Sequence, residues 1–135
     1  MPSTPYYGVA ILSKAYELQF VNNWELLDCA YIIVIMRLTF HGGTKMVTGA
    51  NYLLETDSAK ILVDCGLHQG SSYCEKHNFE PFPYDPKSID AVLVTHAHID
   101  HIGRLPQLVK SGFRGKIFST PPTKDFAEHL LIDSE

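Results

Sequence analysis

Directly after Thr95 the chain runs His96-Ala97-His98-Ile99-Asp100-His101, three imidazoles and one carboxylate within six consecutive positions. Neutral imidazole and carboxylate are the ligands that borderline divalent ions such as zinc accept. Alternate residues of an extended segment point the same way, which sets His96 and His98 to grip one ion. Asp100 and His101 lie just past a bend and reach a second ion close by. A two-metal site of this kind clamps both the attacking and the leaving oxygen of a displacement. Taken singly, each residue has an ordinary explanation: Asp100 as a helix N-cap, His96 as a surface histidine. Four ligands at His-x-His-x-Asp-His spacing behind an apolar run favour the metal reading.

The elements around the motif read as its support. Ala91-Val92-Leu93-Val94 is a buried strand, extended to Ile89–Thr95, which delivers the ligands at its C-terminal end. A helix follows over Ile102–Ser111, with Leu105, Leu108 and Val109 on one face. Pro106 fits near its first turn and Gly112 ends it. Upstream, Arg37–His41 is a short strand and Gly42-Gly43 a turn or close approach. Thr48–Thr56 and Lys60–Asp64 pair as a hairpin about Asp57-Ser58. Asp64, at the end of that apolar strand, is on its own a cap or turn residue. Residues 66–88 are loop-rich, with a short helix over Ser72–Asn78. Phe79, Phe82 and Tyr84 are expected to cover the core edge rather than bind a base. His68 and His77 have no ligand partners nearby in sequence and read as surface or locally hydrogen-bonded. Lys116–Ser119 is a strand, Pro121-Pro122 breaks the chain, and Thr123 caps a last helix. That helix turns Ala127, Leu130 and Leu131 inward and His129 outward.

The 135 residues permit one modest domain, and 45% hydrophobic content is that of a globular chain. A net charge of −4 and the absence of a Lys/Arg cluster give no electrostatic argument for nucleic acid. Cys29, Cys65 and Cys74 form no Cys-x-x-Cys pair, which fits a reducing, cytoplasmic setting. Cys65, at an apolar strand end, reads as a buried inert thiol. The apolar run Cys29–Met36 is shorter than the roughly 20 residues of a membrane span. It also lacks the basic cluster and cleavage site of a signal peptide. Residues 1–35 are an extension, either an extra strand or a non-native leader with Met36 as the true start, and the second is favoured. Residues 36–135 form the main unit.

His96-x-His98-x-Asp100-His101 resembles the signature of the metallo-β-lactamase superfamily. The segments Val47–Glu55, Ile61–Gly70, Gly103-Arg104-Leu105-Pro106 and the Gly112-Phe113 turn are similar to its β-CASP branch, which contains RNA-cleaving enzymes. The resemblance implies an α/β fold, the first half of a metallo-β-lactamase αββα sandwich, in a truncated chain. It implies a zinc-dependent hydrolase with two ions in the complete site: the N-terminal part of an RNA-cleaving nuclease or, alternatively, of a thioesterase or lactonase. His96 and His98 would hold the first ion, Asp100 and His101 the second. Asp100 would also help position the nucleophilic water, and Asp64 would hydrogen-bond a ligand from beneath. RNA as substrate rests on the resemblance alone. Further ligands come from the family's second half, so a catalytically silent fragment is the alternative. Its exposed half-domain face is then expected to drive self-association.

Overall fold

The computed structural model describes residues 8–17, 31–44, 46–70 and 75–133. Their strands form one six-stranded sheet in chain order: β1 (Gly8–Glu17), β2 (Tyr31–Gly42), β3 (Asn51–Glu55), β4 (Lys60–Val63), β5 (Ala91–Leu93) and β6 (Lys116–Phe118). The first four pair antiparallel; β4–β5 and β5–β6 pair parallel. A parallel pair needs a crossover. Between β5 and β6 it is made by two short helices, α1 (Ile99–Ile102) and α2 (Leu105–Lys110). A last helix, α3 (Pro121–Asp133), follows β6.

Register explains where the core sits. Leu53, Leu62 and Val92 lie side by side across β3, β4 and β5, and all three are buried. Ile102, Leu105 and Leu108 from the helices and Phe113 from the following turn close over that row. The alternate row, Tyr52, Val63, Leu93 and Phe118, occupies the other face. There Leu93 and Phe118 remain exposed. The sheet is thus covered on one side, as expected for half of a two-sheet sandwich.

Several local expectations change. The strand expected over Arg37–His41 begins at Tyr31 and pairs with β1 along its length, so β2 crosses the boundary drawn at residue 36. The single helix expected over Ile102–Ser111 is two, because the Arg104 amide leaves the helical ladder to bond the Cys65 carbonyl at 2.9 Å. The last helix begins at Pro121 rather than behind Thr123: the Thr120 hydroxyl accepts from the Thr123 amide, and prolines suit a first turn whose N–H groups lack partners. Within it Ala127 and Leu131 pack on the core, whereas Leu130 is exposed. The first three residues of the helix expected over Ser72–Asn78 lie outside the described residues. The chain from Glu75 is helical and ends in a 3-10 turn, His77–Phe79. No helix among the described residues is long and apolar enough to cross a membrane.

Candidate metal centre

β4 and β5 end side by side, and the segments that leave them build the site. Asp64 follows β4 with φ 58°, a left-handed conformation uncommon for a residue other than glycine. Its amide donates to the Leu93 carbonyl, and its carboxylate, 1% exposed, turns beneath the motif. Oδ1 accepts from the Thr95 amide at 2.8 Å, and Oδ2 accepts from the Thr95 hydroxyl at 2.7 Å. Oδ2 also pairs with Nδ1 of His101 at 2.8 Å. A buried carboxylate without such donors would be costly; here all its bonds go to the motif strand and helix.

The same bonds fix proton positions. The Thr95 hydroxyl has one hydrogen, and a carboxylate can only accept. With that hydrogen on Asp64, the 3.0 Å contact from Thr95 Oγ1 to His96 Nδ1 requires the proton on the imidazole. The Asp64–His101 bond likewise places a proton on Nδ1 of His101. In their neutral form both rings would then present Nε2 lone pairs, the form in which imidazole ligates a metal.

The motif is compact. The rings of His96 and His98 lie 4.6 Å apart between centroids, and those of His96 and His101 3.9 Å. Nε2 of His101 and Oδ2 of Asp100 are 3.6 Å apart. Two ligands at about 2.0–2.2 Å from a tetrahedral ion are separated by roughly 3.3–3.6 Å, so this pair has the spacing of two ligands of one ion. In chemistry and in this spacing the residues fit a divalent metal. Among the described residues, however, no three His, Cys, Asp or Glu side chains are grouped to hold one.

Backbone bonds hold the loop behind β4 onto α1. Cys65 N donates to His101 O, Leu67 N to Ile99 O, and Ala50 N to Asp100 O. A Cβ on Gly66 would collide with the Asp100 carbonyl oxygen, so this approach admits only glycine. Cys65 is fully buried, and burial pushes its thiol up to about 12; it is inert as expected. Beside it, Asn51 bonds the Tyr84 hydroxyl at 3.0 Å.

His68, expected at the surface or locally hydrogen-bonded, is not at the surface. It is 9% exposed and sits against Gly49, whose missing side chain leaves room for the ring. The Asn78 side-chain amide bonds its backbone twice, Oδ1 accepting from the His68 amide at 2.7 Å and Nδ2 donating to the His68 carbonyl at 2.9 Å. His77 is locally bonded, to Glu80 at 2.8 Å, and His129 is exposed. Phe82 is buried and Tyr84 packs on the core, but Phe79 does not cover the core edge: it is 86% exposed. The 3-10 turn that carries it, followed by Pro81, leaves its ring outward, a feature that apolar character alone does not reveal. Two residues with evident roles went unassigned from sequence. Thr95 had one signal, a hydroxyl beside the first histidine. Arg104 had only its place in a motif.

Residues 47–115 match the profile of the Metallo-beta-lactamase superfamily. The chain is 44% identical over 99 residues to Ribonuclease TTHA0252 of Thermus thermophilus, an alignment covering 73% of this chain and 22% of that protein. It is 43% identical over 103 residues to Transcription termination factor FttA of Methanosarcina mazei, covering 73% and 16%. The chain thus spans about a fifth or less of the length of these relatives. Among solved structures, rubredoxin oxygen:oxidoreductase from Desulfovibrio gigas aligns with a TM-score of 0.45 and 26% identity over 70% of this chain and 21% of that one. With the profile spanning the β3–β4 hairpin, Asp64 and the whole histidine motif, the chain belongs to the metallo-beta-lactamase superfamily.

Proposed function

We propose that this chain is the N-terminal part, from residue 36 onward, of a zinc-dependent β-CASP-type nuclease that cleaves RNA phosphodiester bonds in the cytoplasm. The observation that carries this reading is the Asp64–His101 bond, which leaves Nε2 of His101 free beside the Asp100 carboxylate. The RNA substrate is supported by relatives named as a ribonuclease and as termination factors. His96 and His98 serve one ion, Asp100 and His101 the other, and Asp64 holds the His101 ring in register. When bound, the ions supply Lewis acidity and a water ionised near neutral pH. Asp100, beside its place as a ligand, would help position the nucleophile. Thr95 and Asp64 keep protons on the Nδ1 atoms, so the ligating nitrogens stay unprotonated.

A second reading is favoured by the donor count. With no group of three donors among the described residues, the 135-residue chain alone holds metal weakly and is catalytically silent. The two readings separate in one experiment. The purified chain is dialysed against zinc, its metal content is measured, and it is assayed on bis-p-nitrophenyl phosphate and on end-labelled RNA. Retained zinc with EDTA-sensitive cleavage, lost in His96→Ala, is the expected result. Zinc-free protein with no cleavage above background overturns the nuclease reading for this chain.

A further inference from the structure

Beside α2 lies an open groove of about 840 Å³, which the metal chemistry does not use. Its walls grow out of the site: Leu67 follows Asp64 by three residues, and Gly103 follows His101 by two. In it lies Arg104, 6% exposed. The guanidinium donates to the Glu80 carbonyl at 2.7 Å and to the Gln107 side-chain oxygen at 2.9 Å, and lies 4.3 Å from the centroid of the Phe82 ring. These acceptors are neutral, and none of the ion pairs among the described residues includes Arg104. A cation this deeply buried is ordinarily matched by an anion.

The groove's other side chains share a theme. Lys110 lines it, is exposed, and belongs to none of those ion pairs either. Glu75 is the carboxylate of the lining. Burial lowers the His68 pKa, with Arg104 and His77 acting the same way and Glu80 opposing, so His68 adds no charge at neutral pH. Arg104 and Lys110 thus face the Glu75 carboxylate across the groove, and the Glu80 carboxylate acts on Arg104 from outside it. Phe79, 86% exposed, offers a bare aromatic ring in the same groove. An exposed lysine, a guanidinium hydrogen-bonded only to neutral acceptors and an exposed ring fit a ligand that carries both an anion and a flat base.

We propose that this groove binds single-stranded RNA, with a base stacked on Phe79 and a backbone phosphate held by Lys110 and Arg104. The proposal rests on the RNA reading above and adds a place where the strand is held outside the metal centre. The test is fluorescence anisotropy with a labelled oligoadenylate of about ten nucleotides, in EDTA, so that metal ligation plays no part. Phe79→Ala is expected to weaken binding about 5-fold or more, as for loss of one stacked base, and Phe79→Trp to restore it. Lys110→Ala is expected to reduce the slope of log affinity against log salt by about 0.7. Thermal melts of each variant confirm an intact fold.

Failures of the two readings are distinguishable. Zinc-dependent RNA cleavage with oligonucleotide binding indifferent to Phe79 and Lys110 overturns the groove and spares the nuclease. Binding that responds to both residues, without cleavage, supports the groove and removes the catalytic reading. No binding by the unaltered chain overturns the groove, as expected if it instead accepts a segment of protein.

Discussion

At the scale of single residues, the site depends on where protons are held. Thr95 gives its hydrogen to Asp64 and receives one from His96, while Asp64 also receives one from His101. The hydroxyl thus sets the tautomer of a ring that Asp64 itself does not touch. Partners of this kind are worth roughly 10–100-fold in metal affinity. Thr95→Val keeps the shape and removes the hydroxyl, so it should weaken zinc binding about 10-fold, whereas Thr95→Ser should keep it. Competition against a chromophoric chelator reads this directly, and equal affinity in the valine variant would remove Thr95 from the site. The spacing of His96, His98, Asp100 and His101 was legible because it lies within one short segment. The Thr95 role was not, since it depends on Asp64 adopting φ 58° thirty-one residues upstream.

At the scale of elements, the loop after β4 and helix α1 are held together by backbone. Cys65 and Leu67 use their amides in this contact, to His101 and Ile99, while Gly66 donates to Ala50, whose own amide donates to Asp100. At Gly66 the loop runs hard against the Asp100 carbonyl. Gly66→Ala forces α1 away from the loop and carries Asp100 and His101 with it. Its cost is on the order of 3 kcal/mol, that of a severe backbone clash. For a chain of this size that corresponds to a fall in Tm of roughly 10 °C, measured by circular dichroism. A melt within about 2 °C of the parent would show that the loop can yield. The β3–β4 hairpin and the place of β5 were legible from alternation and apolar runs, but the exposure of Leu93 in the strand expected to be buried was not. The division between α1 and α2 was not, because it arises from one amide, that of Arg104, turning to a carbonyl in another segment.

At the scale of the whole molecule, the sheet presents an apolar face that nothing among the described residues fully covers. Leu93 and Phe118 are 41% and 52% exposed there, beside Tyr52 and Val63 in the same row. An exposed apolar patch of this kind associates. Sedimentation velocity of the purified chain should show dimers or larger species. Leu93→Ser with Phe118→Ser should return it to monomer with little loss of stability, since both side chains already meet solvent. Unchanged association in the double variant would exclude this face.

The response of the whole chain to acid follows from its buried histidines. Burial lowers the pKa of His68 and of His41 below the ordinary 6.5. The groups around His68 are Arg104 and His77, which lower it further, and Glu80, which opposes. In the unfolded chain both rings take up protons near 6.5, before the folded chain does. Their contribution to stability is therefore complete above about pH 6.5 and is lost as the pH falls through that value toward the folded pKa. With metal removed by EDTA, Tm should be level between about pH 8 and 7 and fall between about 6.5 and 5. His68→Gln, which has no proton to gain, should flatten part of that fall and leave the share due to His41. A variant as acid-sensitive as its parent would mean that the folded chain protonates His68 as readily as water does. The ring packed against Gly49 would then have to open to solvent well before the sheet unfolds.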